Sequence, residues 1–138
     1  MDQKVGEMER VTGIGGVFFK AKDPDALRRW YREHLGIAFE PGDGATFLWR
    51  DDQRDGGAEV AGSTTWSVFD EGSDYFDPSS ARFMINYRVA DLDRMLSQLR
   101  AAGVEVDDRV EAMEYGRFGW AVDAEGNRFE LWEPAAGM

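Results

Sequence analysis

Hydrophobic and polar positions follow the same order in two parts of the chain. Residues 11–39 and 82–106 each begin with alternating apolar side chains, pass through an aspartate into an apolar stripe, and end at a glycine followed by a short apolar run. Alternation is typical of a strand with one buried face, and a stripe at helical spacing is typical of a helix that packs on a sheet. The chain therefore contains an internal repeat, and we expect its two halves to fold alike.

The residues that flank each stripe predict where the two helices begin and end. Asp23 and Asp91 can accept the free amide hydrogens of a first turn, and Gly36 and Gly103 can end a helix in the left-handed conformation. The stripes between these caps consist of Leu27, Trp30, Tyr31, His34 and Leu35 in the first half and of Leu92, Met95, Leu96 and Leu99 in the second. We expect both stripes to pack on a sheet, which makes the single histidine a partly buried packing residue.

Short extended stretches follow each predicted helix. They span residues 37–39, 45–50 and 63–69 in the first half and residues 104–106, 117–123 and 128–132 in the second. Turn-forming sequences interrupt the chain at PGDG (41–44), RDGG (54–57) and DAEGN (123–127). Each half is thus predicted to be a βαβββ module, and the predicted fold class is α+β.

The length of 138 residues predicts one domain, 1–138, with halves at about 11–69 and 82–133. The polar sequence DEGSDYFDPSS (70–80) between the halves is predicted to be a surface crossover, and the first ten residues a mobile tail. No apolar run is long enough for a membrane span, and the polar start is unlike a signal peptide, so we expect a cytoplasmic protein.

Charge and cysteine content narrow the classes of function. With 16 Lys and Arg against 27 Asp and Glu, the net charge is −11, which opposes binding to nucleic acids and to anionic membranes. Cysteine is absent, which excludes disulfides, thiolate metal sites and a cysteine nucleophile. We therefore expect no nucleic-acid or membrane partner.

Three segments carry a resemblance to a known family. They are GIGGVFFKAKDPDALRRWYREHLGI (13–37), FMINYRVADLDRMLSQLRAAGVEV (83–106) and the closing WAVDAEGNRFELW (120–132). Together with the paired βαβββ halves, they resemble the vicinal-oxygen-chelate superfamily, which includes glyoxalases, bleomycin-resistance proteins and extradiol dioxygenases. The resemblance implies that the two modules form an open, cleft-like barrel, and it covers nearly the whole chain.

The resemblance also implies where a metal would bind in this fold. The family's ligand positions fall on Gly16 in the first strand, Met84 in its repeat, Glu130 in the closing strand, and a position within residues 63–69. Glycine has no side chain, and a thioether is a poor ligand for the hard divalent ions that the family uses. Because one carboxylate alone holds such an ion weakly, we expect no bound metal and no other cofactor; a weakly bound divalent metal is the alternative.

Strand alternation predicts which residues face the implied cleft. Glu130 comes out inward by pattern as well as by resemblance, and it is the candidate catalytic residue, either as a general base or as an anchor for a ligand. A purely structural ion pair with Arg128 or Arg88, or a hydrogen bond inside the barrel, is the other interpretation. The candidate ligand-binding residues are Phe18, Met84, Asn86, Arg88, Trp66, Tyr115, Phe118, Trp120 and Trp132.

Three functions are compatible with this set of residues. The first is a homodimeric protein that binds a small aromatic or cationic molecule in an aromatic-lined, metal-free cleft. The second is a glyoxalase-like lyase or isomerase, or a dioxygenase, that uses Glu130 with a non-standard metal or with none. The third is a scaffold or regulatory dimer without a ligand. No second acid or base joins Glu130 in a complete catalytic set, which favours the first.

Overall fold

The computed structural model describes residues 8–39, 44–49 and 62–138. Its helices and strands follow the order of the predicted repeat. They are β1 (Val11–Ala21), α1 (Pro24–Leu35), β2 (Gly44–Leu48), β3 (Ser63–Asp70), β4 (Phe83–Val89), α2 (Leu92–Ala101), β5 (Glu111–Met113), β6 (Gly116–Val122) and β7 (Arg128–Pro134). None of the helices in the described part is long and apolar enough to cross a membrane.

The strands form a single curled sheet in the order β2-β3-β1-β4-β7-β6-β5. The two halves meet where β1 pairs antiparallel with β4. On either side of this seam the pairing is repeated, because β3 runs parallel to β1 and β7 runs parallel to β4. The sheet is a half-barrel with two helices, which confirms the predicted α+β class.

The helix caps are those that the repeat predicts. The side chain of Asp23 accepts a hydrogen bond from the amide of Ala26 at 3.1 Å, and that of Asp91 accepts one from Arg94 at 3.0 Å. Gly36 follows α1 with φ of 71°, and Gly103 lies two residues beyond the end of α2 with φ of 82°. Both glycines thus have the left-handed backbone that favours this residue.

The two stripes pack differently on the sheet. In α2, Leu92, Met95 and Leu96 are buried against Val89 and Leu131, as predicted.

In α1, only Leu27 and Tyr31 of the stripe are half-buried, whereas Trp30, His34 and Leu35 are exposed. The prediction of a partly buried His34 is therefore wrong. The buried side chain of α1 is Arg28, which donates to the carbonyl oxygen of Val68 at 3.3 Å and pairs with Asp25. Trp30, His34 and Leu35 lie on the solvent-exposed side of α1.

Several predicted strand segments differ in the structure. Residues 37–39 form no strand, and in 104–106 only Val106 makes an isolated bridge, to Ala121. The ring of Phe39 packs on Trp66 at 5.5 Å, so this short run contributes packing instead of pairing. The three-residue β5 was not predicted. The RDGG turn, most of PGDG and Arg50 lie outside the described residues.

Two segments expected at the surface are attached to the core. Glu9, placed in the predicted mobile tail, is buried; its backbone exchanges two hydrogen bonds with the side chain of Gln98, and its carboxylate accepts the amide of Asp91. Residues 1–7 lie outside the described part. In the crossover, Tyr75 is half-buried and Phe76 is fully buried. The prediction of a mobile tail is thus wrong for Glu9, and the prediction of a surface crossover is wrong for Tyr75 and Phe76, whereas most other residues of the crossover are exposed.

Candidate functional site

The concave face of the sheet holds a cleft of about 490 Å³. Both halves of the repeat contribute to it, since its lining comes from β1 to β4, the turn before β6, β6, β7 and the C-terminal segment. The lining residues are Gly15, Phe18, Gly44, Thr46, Ser63, Thr65, Ser67, Asn86, Tyr115, Phe118, Glu130, Trp132 and Met138. A larger and more open hollow of about 610 Å³ lies against α1, but neither Glu130 nor Asn86 lines it. The concave cleft is therefore the candidate site.

Glu130 lies at the floor of the cleft and is 2% exposed. Its Oε1 accepts a hydrogen bond from Nδ2 of Asn86 at 2.7 Å. Its Oε2 accepts one from the indole N–H of Trp120 at 2.9 Å and another from the phenolic O–H of Tyr75. The side chain is thus held by three donors from three different elements, and neither Arg88 nor Arg128 forms an ion pair with it among the described residues.

Two opposing effects act on the protonation of this carboxyl group. Burial raises the pKa of Glu130 above its ordinary value of 4.5, because the charged form loses hydration. The hydrogen bonds from Tyr75, Asn86 and Trp120 and the charge of Arg128 lower the pKa, but the net direction is upward. Burial and the nearby carboxylate also raise the pKa of Tyr75, so the phenol remains a donor.

Asn86 lies between Glu130 at the floor of the cleft and the glycines of β1. It is 2% exposed, and its Oδ1 has no hydrogen-bond partner among the described residues. A β-bulge interrupts the pairing of β1 with β4 between Ile14 and Gly16. A Cβ on Gly15 would lie 2.3 Å from Oδ1 of Asn86 and 2.8 Å from Cε3 of Trp132. Glycine is required here because the two side chains occupy that space.

The two sides of the cleft differ in chemistry. The side formed by β6, β7 and the turn before β6, which we call the aromatic wall, consists of Tyr115, Phe118 and Trp132. The rings of Phe118 and Trp132 are stacked, with centroids 6.0 Å apart and planes 3° apart. The side formed by β2 and β3, which we call the hydroxyl wall, consists of Thr46, Ser63, Thr65 and Ser67.

The structure places five of the nine candidate ligand-binding residues in the lining of the cleft, together with Glu130. The five are Phe18, Asn86, Tyr115, Phe118 and Trp132.

Met84 and Trp120 are fully buried behind the floor, in a cluster with Phe76. Trp120 contributes to the site through its hydrogen bond to Glu130, whereas Met84 contributes packing. Their expected place in the lining is therefore corrected to a place behind it.

Arg88 is also behind the lining. Its guanidinium lies between the rings of Trp49 and Trp132, at 5.0 and 4.9 Å from their centroids. It donates to the carbonyl oxygens of Ser63 at 3.4 Å and Met138 at 2.9 Å. With these contacts the guanidinium supports the aromatic wall from outside the lining of the cleft, whereas a place in the lining was expected.

Trp66 lies on the opposite face of the sheet from the cleft. Its ring packs against Phe19 at 4.9 Å and against Tyr31 of α1 at 4.8 Å. Because neighbouring strand residues point to opposite faces, Thr65 and Ser67 face the cleft in its place. The expectation that Trp66 lines the cleft is wrong.

Strand pairing locates the four metal positions that the family resemblance implies. Gly16 pairs with Asn86 across the seam, and Met84 pairs with Phe18. Asn86 lies opposite Glu130, and its repeat equivalent Phe18 lies opposite Ser67. Ser67 in the first half is therefore equivalent to Glu130 in the second half. The fourth position, which the sequence confined to residues 63–69, is thus Ser67.

The donors at these four positions do not fit a divalent metal. They are a glycine, a buried thioether, a serine hydroxyl and one carboxylate, whose two oxygens already accept three hydrogen bonds. Oxygen-ligated metal sites rely on several converging carboxylates or carbonyls. Within the described part of the chain, no three His, Cys, Asp or Glu residues form a group that could hold a metal ion.

Tyr75 is a site residue that sequence reasoning missed, as it missed the individual residues of the hydroxyl wall. It comes from the crossover and reaches Glu130, and its ring stacks on Phe69 at 5.5 Å with planes 9° apart. The available signal was the pair Tyr75 and Phe76 within an otherwise polar segment, since adjacent aromatic residues in such a run favour burial.

Comparison with known proteins gives the family. Residues 16–132 match the model of the glyoxalase-like domain. The chain belongs to this family. No protein of the curated set matches the sequence significantly.

Solved structures of methylmalonyl-CoA epimerases resemble this glyoxalase-like chain. The enzyme from Mycobacterium tuberculosis is 26% identical, with a TM-score of 0.59 over 91% of this chain and 89% of that one. A methylmalonyl-CoA epimerase in complex with methylmalonyl-CoA and NH4+ is 20% identical, with a TM-score of 0.65 over 93% and 98%. A Streptomyces coelicolor epimerase variant in complex with 2-nitronate-propionyl-CoA is 19% identical, with a TM-score of 0.65 over 92% and 100%. The last two likenesses concern the fold alone.

Proposed function

We propose that this glyoxalase-like protein binds a small aromatic molecule in its concave cleft without a metal ion. The observation that carries the proposal is the pairing of an aromatic wall with a floor whose carboxylate is already held by Tyr75, Asn86 and Trp120. Ring faces favour stacking with planar molecules. A carboxylate with three donors is organised for hydrogen bonding and not for coordination.

The cleft has the size and composition of a small-molecule site. Ligand pockets are typically about 300–1,000 Å³ in volume, mostly apolar, with a few placed polar groups. The cleft of about 490 Å³ falls within that range, and Asn86 and Glu130 are the polar groups at its floor.

Thermal denaturation with small planar probes tests the proposal. We expect 2-naphthol, indole or the cationic 9-aminoacridine at millimolar concentration to raise the midpoint of unfolding. Phe118→Leu, which shortens the aromatic wall, should reduce the shift, whereas Phe83→Leu is the matched control because Phe83 is exposed outside the cleft. If none of the probes shifts the midpoint, the proposal is overturned.

Metal analysis tests the metal-free part separately. We expect the purified protein to contain no near-stoichiometric Fe, Mn, Ni or Zn. If such a metal were present and disappeared in Glu130→Gln, the cleft would be a metal site with an unusual ligand set, and the metal-free proposal would be wrong.

A glyoxalase-like isomerase or lyase, or a dioxygenase, is the second candidate function. Glu130 favours the isomerase form, because a buried carboxyl group with a raised pKa is suited to accept or return a proton. The likeness to methylmalonyl-CoA epimerases, at 26% identity in one case, supports a test with that thioester.

If the protein is an isomerase of this kind, it should exchange the α-proton of methylmalonyl-CoA for deuterium in D2O, which NMR measures. Loss of this exchange in Glu130→Gln, with retained folding, would establish the residue as the proton acceptor. Absence of exchange in the wild-type protein would count against epimerase chemistry.

The homodimer is part of the proposal. Trp30 and Leu35, which are 50% and 63% exposed on α1, give the chain an apolar surface that a second copy could cover. Sedimentation equilibrium of the wild-type protein and of Trp30→Lys tests this, and a wild-type monomer at all concentrations would overturn it.

A further inference from the structure

The hydroxyl wall has a regular arrangement across two strands. In the pairing of β2 with β3, Gly44 lies opposite Ser67 and Thr46 lies opposite Thr65. A Cβ on Gly44 would lie 3.0 Å from Oγ of Ser67, so no side chain at residue 44 separates Ser67 from the cleft. The wall thus presents small hydroxyl groups to the cleft.

The hydroxyl groups of this wall have no hydrogen-bond partners within residues 8–39, 44–49 and 62–138. The neighbouring Thr64, on the other face of β3, differs in this respect. Its Oγ1 accepts the indole N–H of Trp49 at 2.8 Å and donates to the carbonyl oxygen of Ile14 at 2.7 Å. In β3, the hydroxyl group of Thr64 is therefore hydrogen-bonded within the protein, whereas the hydroxyl groups on the face toward the cleft are available to a ligand.

A ligand that fills the cleft has to pack against the rings of the aromatic wall and form hydrogen bonds with the hydroxyl wall. A pure hydrocarbon could stack on Phe118 and Trp132, but it would remove water from Thr65 and Ser67 without replacing their hydrogen bonds. A polar molecule without a ring would leave the aromatic wall in contact with water.

We infer that the cleft selects an aromatic ring with neutral hydrogen-bonding groups along one edge, such as a phenol or a carboxamide. Thr65 and Ser67 form hydrogen bonds with these groups. The inference rests on the proposed binding function and adds the chemical class of the ligand. Positive charge on the ligand is not required, because the oxygens of Glu130 already accept three hydrogen bonds.

Two probes with the same ring test the inference. 2-Naphthol carries a hydroxyl donor, and in 2-methoxynaphthalene this donor is blocked. Titrations followed by NMR should show that the wild-type protein binds 2-naphthol about tenfold more tightly, which is the effect of one or two added hydrogen bonds. In the double variant Thr65→Val with Ser67→Ala, which nearly keeps the side-chain volumes, the preference should fall to about twofold or less.

Ser97→Ala is the matched control, since Ser97 is exposed on α2 away from the cleft. It should keep the wild-type preference. Equal affinity of the wild-type protein for both probes, or a preference that survives in the double variant, would overturn the inference and leave the proposed function standing. If neither probe binds at millimolar concentration, the inference fails, and the proposed function fails with it when indole and 9-aminoacridine also leave the midpoint of unfolding unchanged.

Discussion

The phenolic O–H of Tyr75 donates a hydrogen bond to Oε2 of Glu130, although the two residues are 55 positions apart in the sequence. Tyr75 comes from the crossover between the halves, and Glu130 from the last strand of the sheet. Phe76, next to Tyr75, is buried against Met84 and Trp120. The crossover therefore contributes both a hydrogen bond and packing to the floor of the cleft.

Replacing Tyr75 by phenylalanine should test this connection. The ring stays, but the buried carboxyl group loses one donor, so we expect the free energy of unfolding to fall by about 1–3 kcal/mol. Urea denaturation measures the change. Tyr115→Phe is the control, because the side chain of Tyr115 is 49% exposed and its hydroxyl makes no hydrogen bond within the described residues. Equal stability of the two variants would contradict the role of the Tyr75 hydroxyl.

The raised pKa of Glu130 predicts a dependence of stability on pH. An acid whose pKa is raised by folding stabilises the folded protein most at pH values below its unfolded pKa, and this contribution is lost as the pH rises through the folded pKa. The difference in unfolding free energy between the wild-type protein and Glu130→Gln should therefore fall above pH 4.5, by about 1.4 kcal/mol for each pH unit, until Glu130 is ionised in the folded protein.

Urea denaturation at several pH values between 4.5 and 8 measures this difference. Glu125→Gln, in the exposed turn after β6, serves as the control for a general effect of removing one negative charge. If the unfolding free energy of the wild-type protein relative to Glu130→Gln increased with pH, the three hydrogen bonds would outweigh burial in their effect on the pKa of Glu130. The folded protein would then favour the ionised form.

The helices and the inward position of Glu130 could be predicted because they depend on local patterns. A cap such as Asp23 acts within three residues, and strand alternation places Glu130 and Trp132 on the same face. The connection of Tyr75 to Glu130 could not be predicted in this way. It depends on the path of a polar crossover whose end points are fixed only once the two halves are paired.

The position of Trp66 shows a different limit. Alternation in β3 puts Trp66 on the face opposite Thr65 and Ser67, but alternation alone does not say which face is concave. The choice of Trp66 as a candidate ligand-binding residue assumed that its face of β3 is the concave one. The structure resolves the choice through α1, whose Tyr31 packs on the ring of Trp66.

Gly15→Ala should disturb the cleft. The added methyl group would overlap with Oδ1 of Asn86 and the ring of Trp132, so we expect a loss of about 1–3 kcal/mol in stability and weaker binding of 2-naphthol. Gly72→Ala is the control, because a Cβ there would meet only Oδ2 of Asp70, at 4.0 Å. Thermal denaturation and the naphthol titration measure the two effects. If both variants behaved alike, the close approach at Gly15 would have no energetic consequence.

Arg88→Lys should separate the charge of Arg88 from its shape. Lysine keeps the positive charge but lacks the planar group that fits between Trp49 and Trp132 and reaches two carbonyl oxygens. We expect stability to fall by about 1–3 kcal/mol, the near-UV circular dichroism of the tryptophans to change, and 2-naphthol to bind more weakly because Trp132 loses its support. Arg29→Lys, on the exposed side of α1, should leave all three unchanged. If Arg88→Lys bound the probe as tightly as the wild-type protein, the aromatic wall would hold its geometry without the guanidinium, and Arg88 would have no positioning role in the cleft.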